Sequence, residues 1–326
     1  MGVEPIFLTP VFKERIWGGT ALADRFDYEI PSLQTGECWA ISAHPHGQST
    51  VAAGTYKGMA LGTLWEQHGE LFGRKQGADC RASGAVDRPF PLLTKIIDAN
   101  ADLSVQVHPD DTYAHAHENG ELGKTECWYV IDCAPDAHVV YGHTAQTREQ
   151  LAEMIARGEW EELLCKVKIA PGDFLYVPSG TIHALCAGTL ILETQQSSDT
   201  TYRVYDYDRV DKEGNKRELH LQKAIDVTTV PHVDGTDARS EMPFSGGTVT
   251  TFVENRFFTV QKWTVTGELP LTQDEPYMLV SVIDGKGQLT CDSGMYPLQR
   301  GDHLILPHGF GAFTVSGQLE AIVSRE

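Results

Sequence analysis

The sequence lacks the features that direct a chain into or across a membrane. No run of about 18 apolar residues occurs, so we expect no bilayer-spanning segment. The first residues have no basic region followed by an apolar block and a small-residue cleavage site, so we expect no signal peptide. Ile6 stands where a myristoylation signal would have serine or threonine.

Paired cysteines and excess positive charge are also missing. The seven cysteines are an odd number with no CxxC pair, which indicates reduced thiols in the cytoplasm and excludes a cysteine zinc site. The net charge of −19 argues against nucleic acid or an anionic membrane as a partner. If the substrate is an anion, the site must therefore gather positive side chains locally.

One short stretch of alternating polarity carries the first functional hint. In Leu103 to His108 (LSVQVH), apolar residues alternate with Ser104, Gln106 and His108. This period of two is typical of a half-buried β-strand with its polar side chains on one face. Imidazole is the commonest metal ligand in proteins, and an amide oxygen can add a donor beside it. Alone, the same pattern also fits a strand whose polar face meets water.

Most of the chain shows short strand patterns separated by turns, which is typical of β-sandwiches and barrels. The clearest helix pattern is 148–157, where Thr147 and Gln150 form a capping box and Gly158 ends it. Shorter helix patterns lie at 61–72, 110–118 and 219–227, and the polar segment 231–247 is typical of a linker. We therefore predict a mainly β protein with few helices.

A faint internal repeat suggests two copies of one β-fold. Gly172-Asp173 followed by Pro178-Ser179-Gly180 returns as Gly301-Asp302 followed by Pro307-His308-Gly309. The first copy continues to His183, but Ala312 takes that position in the second. Only the first copy is therefore predicted to hold a metal. We place the division between a domain of residues 1–235 and a smaller one of residues 236–326.

The segment from Gly172 to His183 follows G-x5-P-x-G-x2-H, which resembles the second signature of the cupin β-barrels. The stretches SVQVHPDD, GKTECWYV, PSGTIHAL and TYRVYDYDR, in this order, are similar to the type I phosphomannose isomerases in their short bacterial form. The resemblance implies two cupin-like jelly-roll barrels with short helices beside the first. It also implies one Zn²⁺ per chain, bound by Gln106, His108, Glu126 and His183, and a catalytic arginine at Arg203.

The chemistry of such an isomerase fits other residues of the chain. Interconverting mannose 6-phosphate and fructose 6-phosphate moves a proton between C1 and C2 through an enediol, which needs an electrophile, a base and a cation for developing negative oxygen. Lys124 is a candidate base if neighbouring cations and zinc depress its pKa, and Lys95, Lys124 and Arg203 are the candidate substrate-binding cations. We expect a sugar phosphate as the ligand and a monomer or weak homodimer.

Several alternatives stay open. Glu126 could pair with a lysine, and Arg203 could pair with Asp206 or Asp208. The chain could be another metal-dependent cupin, such as an iron oxygenase, or a non-catalytic sugar-phosphate-binding cupin. We expect no functional role for the remaining histidines that draw attention, which are His44, His46, His115, His117, His303 and His308. Cys127 and Cys133 are expected to point into the core as small apolar groups.

Overall fold

The structure is a computed structural model that describes residues 2–74, 88–210, 214–236 and 239–326. The helices in this part of the chain are α1 (Ala21–Phe26), α2 (Leu61–Gln67), α3 (Asp111–His117), α4 (Arg148–Arg157), α5 (Trp160–Leu163) and α6 (Leu221–Val227), with a 3-10 turn at Gly69–Phe72. The strands are β1 (Ile6–Thr9), β2 (Val11–Gly19), β3 (Thr35–Ile41), β4 (Ala43–His44), β5 (Gly47–Gln48), β6 (Thr50–Val51), β7 (Leu92–Ala99), β8 (Val105–Val107), β9 (Glu126–Cys133), β10 (His138–His143), β11 (Leu164–Lys168), β12 (Phe174–Val177), β13 (His183–Leu185), β14 (Thr189–Gln196), β15 (Tyr202–Tyr205), β16 (Ser240–Phe244), β17 (Gly247–Glu254), β18 (Thr259–Val265), β19 (Glu268–Gln273), β20 (Met278–Cys291), β21 (Gly294–Gln299), β22 (His303–Leu306) and β23 (Gly311–Arg325). None of these helices has the length and apolar character needed to cross a bilayer.

Two antiparallel sheets build the first part of the chain. A six-stranded sheet has the order β12-β9-β14-β7-β3-β2, and a five-stranded sheet has the order β11-β10-β13-β8-β15. Trp128 and Ile191 of the larger sheet pack with Val139 and Leu185 of the smaller one in a shared apolar layer. The two sheets therefore face each other.

The larger sheet is buried on both faces, which explains its nearly continuous apolar strands. In β9, Trp128 and Val130 point toward the five-stranded sheet, whereas Cys127 and Tyr129 pack in the second apolar cluster on the opposite face. Because side chains alternate along a strand, Glu126 shares the inward face with Trp128. A carboxylate is thus placed between the sheets.

Helices α4, α5 and α6 cover the outer face of the five-stranded sheet. Leu151 and Ile155 of α4 pack with Val105, Val107 and Val140 of that sheet. The predicted Thr147 cap of α4 is confirmed, because its side chain accepts a hydrogen bond from the backbone N–H of Gln150, while the Gln150 side chain accepts from the backbone N–H of Gln146 and not from that of Thr147. This cap satisfies one N–H that the first helical turn leaves without a partner.

A ten-stranded sheet contains the C-terminal strands and two strands from the N-terminal segment. β1 pairs with β22 in the register Ile6 to Ile305, and β6 pairs with β1. The face of this sheet that carries Phe252 and Ile305 packs on the larger N-terminal sheet. The division at residue 235 stays a prediction, as the chain beginning at β1 contributes to the C-terminal sheet.

The two copies of the repeat have the same local geometry. Gly172 and Gly301 both have φ of +93°, a left-handed conformation that glycine adopts without strain. The following Asp173 accepts a hydrogen bond from the Ala170 N–H at 2.7 Å, and Asp302 accepts one from the Gln299 N–H at 2.8 Å. Each turn then leads into a short strand, β12 or β22.

Three details differ from the sequence prediction or lie beyond it. The predicted linker at 231–247 contains the edge strand β16, which pairs with β17. The strand pairings in the described residues form no closed cylinder, so the fold is mainly β with cupin character and the two-barrel description stays a proposal. The polar segment 73–88, whose composition predicts a surface loop, and the charged segment VDKEGNKRE, whose composition predicts a hairpin, fall partly outside the described residues, at 75–87 and 211–213.

Candidate metal centre and active site

Three strands bring the predicted ligand residues together between the facing sheets. Gln106 lies in β8 and His108 follows it, while His183 begins the neighbouring strand β13 and pairs directly with Gln106. Glu126 begins β9 in the opposite sheet. The site therefore joins both layers at one end of the sandwich.

The ligand atoms of His108, Glu126 and His183 form a compact, fully enclosed cluster. One Glu126 oxygen lies 3.4 Å from His108 Nε2, and the other lies 3.4 Å from His183 Nε2. All three ligand atoms lie within 4.8 Å of one another, and none of the three side chains exceeds 1% exposure. Such a group of donors can enclose one metal ion.

Backbone carbonyls set the orientation of both imidazoles. His108 Nδ1 lies 2.9 Å from the Thr200 carbonyl oxygen, and His183 Nδ1 lies 2.9 Å from the Thr181 carbonyl oxygen. A carbonyl only accepts, so each Nδ1 carries the proton and each Nε2 keeps its lone pair. These second contacts hold the Nε2 atoms in the form that binds a metal.

One carboxylate oxygen of the cluster lacks a hydrogen-bond partner. Glu126 Oε1 is buried and has no hydrogen-bond partner, although burying an unpaired carboxylate oxygen is costly. Gln106 Nε2 lies 3.4 Å from His183 Nε2, and exchanging the amide oxygen and nitrogen would aim the oxygen at the same space. Two imidazoles, a carboxylate and an amide oxygen fit a zinc ion with further coordination open.

Lys124 is the cation that contacts these ligands in the structure. Its Nζ lies 2.5 Å from Glu126 Oε2 and 3.0 Å from His108 Nε2. Burial alone lowers the pKa of Lys124, but the carboxylates of Glu126 and Glu193 outweigh burial and raise it. Glu126 thus pairs with a lysine, as the alternative prediction had it, and also contacts both histidines. Without a bound metal ion, Lys124 is a positively charged ammonium.

Both histidines are neutral at physiological pH. Burial, followed by the charge of Lys124, lowers the pKa of His183 to about 4 and lowers that of His108 well below its usual value. Neutral imidazole is the protonation state that a metal ligand requires.

Glu193 is a buried carboxylate that the sequence analysis did not select. It lies opposite Lys95 and Trp128 in the strand register, and its oxygens are 3.6 Å from Lys95 Nζ and 3.9 Å from Lys124 Nζ. The Trp128 indole N–H donates to it at 3.2 Å. Burial and the Glu126 charge raise the pKa of Glu193 despite both lysines. The sequence feature that could have identified Glu193 is its position as the single charged residue of the strand pattern LILETQQ.

A cavity of about 450 Å³ lies beside this buried cluster and is bordered by the cluster's neighbours Gln106 and Lys124 and by Arg203. Lys95, Gln106, Lys124 and Glu193 line it together with Arg203. Arg203 pairs with Gln106 across β15 and β8, and its guanidinium donates to Ser104 Oγ at 3.3 Å and to the Glu218 carbonyl at 2.9 Å. Arg203 forms no ion pair with Asp206 or Asp208, so its positive charge is available to an anion in the cavity.

The other histidines lie away from the cluster. His115 and His117 are exposed on α3, as expected for a solvated helix. His46 is exposed and lies 3.0 Å from Asp199, whereas His44 is buried. His303 is buried in the ten-stranded sheet, where it bonds Ser281 and Tyr28. In the described residues the only group of three close metal-binding side chains of these types is the one at His108.

Facing antiparallel sheets with an enclosed His–Glu–His cluster place the chain among mainly β proteins of the cupin type with a candidate metal site. Comparisons with known proteins narrow this class. The model described as "Phosphomannose isomerase type I, catalytic domain" matches residues 6–131, and "Mannose-6-phosphate isomerase, cupin domain" matches residues 248–326.

Relatives agree over the whole chain. "Mannose-6-phosphate isomerase ManA" of Bacillus subtilis is 56% identical over 325 residues, with 100% of both chains covered. "Mannose-6-phosphate isomerase" of Streptococcus mutans is 50% identical, covering 99% of this chain and 98% of the relative. The crystal structure of the B. subtilis mannose 6-phosphate isomerase superposes with a TM-score of 0.94 at 56% identity, covering 99% of this chain and 100% of that one. The chain belongs to the type I phosphomannose isomerase family of enzymes, which confirms the family predicted from the sequence.

Proposed function

We propose that the chain is a zinc-dependent enzyme that interconverts mannose 6-phosphate and fructose 6-phosphate. The observation that carries this proposal is the enclosed cluster of His108, Glu126 and His183 beside a cavity lined by cations. The names of the full-length relatives supply the substrate and the reaction type. We propose Gln106 as the fourth ligand, since its amide meets the same space.

The proposed division of labour follows from the positions of the side chains. When bound, zinc would supply a Lewis acid for the oxygens at C1 and C2 of the sugar. Arg203, whose guanidinium keeps a free charge on the cavity wall, would stabilise negative oxygen as the enediol forms. In this partly enclosed cavity the attraction is screened less than it would be in bulk water.

We assign proton transfer between C1 and C2 of the sugar to buried ionisable side chains on the cavity wall. Lys124 remains the proposed base, because a dication on the neighbouring ligands would repel its ammonium and favour the neutral amine. Glu193 lies near both Lys124 and Lys95, and burial raises its pKa, the direction that makes a carboxylate a better proton acceptor. We propose that Glu193 relays protons and that Lys95 binds the sugar.

We also propose that the partner of the protein is a sugar phosphate and neither nucleic acid nor a membrane. The proposed oligomeric state is a monomer or a weak homodimer. The six described cysteines are free thiols, which supports the cytoplasm as the compartment. The shared turn geometry at Gly172 and Gly301 supports two cupin-like domains, residues 1–235 and 236–326.

The deciding experiment measures fructose 6-phosphate formation in a coupled assay before and after chelation, with single metals added back. We expect chelation to remove activity and zinc to restore it, with one metal bound per chain by elemental analysis. A chain that isomerises equally well without metal contradicts the proposal. Iron in the purified protein with no isomerisation would favour an oxygenase. Tight binding of the sugar phosphate without turnover would favour a binding protein.

A further inference from the structure

A second arginine on the wall of the catalytic cavity has no role in the chemistry described above. Arg217 lines the same cavity as Arg203, and its side chain is 27% exposed. It makes no hydrogen bond or ion pair with the metal-ligand cluster within the described part of the chain. Its place in the fold is therefore at the cavity wall but apart from the reacting centre.

A buried carboxylate holds the Arg217 guanidinium in one orientation. Arg217 Nε donates to one Asp206 oxygen at 2.7 Å, and Nη2 donates to the other at 2.5 Å. Asp206 is only 5% exposed, and hydrogen bonds from Arg217 and Arg209 lower its pKa although burial would raise it. A two-point contact of this kind fixes the plane of the guanidinium as well as its position. Nη1 of Arg217 donates to no protein acceptor among the described residues.

The arginines together carry more positive charge than their acidic neighbours cancel. Asp206 accepts bonds from both Arg209 and Arg217, so one negative charge serves two positive ones. Burial, followed by the nearby Arg217 charge, lowers the pKa of Arg203, as expected for two guanidiniums that repel each other. Arg15, the third arginine on the wall, is matched by Glu37 at 2.9 Å. Arg217 thus shares its counter-ion with Arg209, and Arg203 makes no ion pair in the described part of the chain, although Glu14 and Asp199 also line the cavity.

An anion would remove this repulsion, and the substrate of the family brings one. Arg203 is a strand neighbour of the proposed ligand Gln106, which places it at the metal end of the cavity. Arg217 has its free Nη1 for a group farther along the sugar. Guanidinium groups with free N–H donors are the preferred partners of phosphate oxygens.

We propose that Arg217 binds the phosphate group of the substrate and that Asp206 is a positioning residue that aims it. The inference rests on the proposed function, because it assumes that the sugar lies between the metal cluster and the arginines. Arg203 then acts on the reacting end and Arg217 on the phosphate end. The two arginines should therefore differ in which kinetic constant they control.

The test measures KM and kcat for mannose 6-phosphate, and the inhibition constant of inorganic phosphate as a competitive probe. Arg217→Ala should raise both KM and the inhibition constant about 10- to 100-fold, the range for losing a charge-assisted hydrogen bond, while kcat changes less than about threefold. Arg217→Lys should be intermediate because it keeps the charge without the two-point contact. Asp206→Asn should also raise the inhibition constant of phosphate, because it weakens the contact that orients Arg217.

Arg209→Ala is the matched control. It removes an equal charge and a bond to the same Asp206, but Arg209 does not line the cavity, so we expect less than a threefold change in the phosphate inhibition constant. The inference is overturned if Arg217→Ala, or Arg217→Lys where the alanine variant does not fold, leaves that constant unchanged. An equal rise in the control also overturns it, because loss of general charge then explains the effect. Activity that survives chelation would refute the zinc mechanism and leave this comparison intact.

Discussion

Replacing Lys124 by methionine tests whether the buried cluster is built for a divalent cation. The Lys124 ammonium lies 2.5 Å from Glu126 and 3.0 Å from His108, two of the proposed ligands. In the ion-free protein it neutralises Glu126, and in the metal-bound protein it opposes the ion. Lys124→Met should therefore destabilise the folded protein without metal and strengthen its binding of the metal ion.

The magnitude follows from the burial of the pair. Glu126 is fully buried and Lys124 is 4% exposed. Removing one partner of a buried ion pair costs about 3–5 kcal/mol, because it leaves an uncompensated charge. In a large domain, 1 kcal/mol shifts the unfolding temperature by about 2–4 °C, so the variant should unfold about 10 °C lower in chelator. With metal bound, Glu126 has a cation again and most of that loss should disappear.

The assay is thermal unfolding of wild type and variant, each with chelator and with excess zinc. The stabilisation by zinc should be larger in Lys124→Met than in wild type, and the zinc affinity should rise because a competing charge is gone. Lys95→Met is the control, since Lys95 contacts Glu193 at 3.6 Å and neither Glu126 nor His108. If zinc raises the unfolding temperature equally in wild type and Lys124→Met, the reasoning from charge compensation is wrong.

Three further predictions concern the site and the C-terminal sheet. Arg203→Ala should keep zinc content and folding but lower kcat about 100-fold or more, checked by kinetics and elemental analysis, and an active variant would reassign the arginine to structure. Glu193→Gln should also retain zinc while losing most turnover, and unchanged turnover would exclude it from proton transfer. Burial lowers the pKa of the His303 imidazole to about 3 in the folded protein, whereas the ordinary value in the unfolded chain is about 6.5. As the pH drops below about 6.5, the unfolded chain takes up a proton that the folded protein does not, so the free energy of unfolding falls by about 2 kcal/mol at pH 5. Urea unfolding of His303→Gln should therefore show a shallower loss between pH 6.5 and 5 than wild type, and equal slopes would contradict this.

Local patterns predicted the elements whose signals are contained in a few neighbouring residues. The helix α4 has the predicted ends because Thr147 caps its first turn and Gly158 takes a left-handed φ of 68° at its last. The strand β9 begins at Glu126, where the run ECWYVID, rich in aromatic and β-branched residues, has the composition of a strand. Such signals need no knowledge of the rest of the chain.

Features set by distant partners could not be read in this way. Ile6 pairs with Ile305, and nothing near β1 shows that it belongs to the C-terminal sheet. The edge strand β16 is exposed along Ser240–Pro243 and therefore has the polar composition of a linker. Glu193 was passed over because its meaning depends on lysines from two other segments.

Charge balance explains how an acidic chain can bind a sugar phosphate. Two buried lysines, Lys95 and Lys124, are matched by two buried carboxylates, Glu126 and Glu193, so these four side chains sum to zero without a metal. A dication bound by the neutral histidines would add two positive charges, and loss of the Lys124 proton would still leave one that these four side chains do not cancel. The negative oxygen of the enediol can cancel that excess at the reacting end of the cavity. Because such coupling is reciprocal, metal and substrate should each strengthen binding of the other, and the net charge of −19 then poses no obstacle to an anionic substrate.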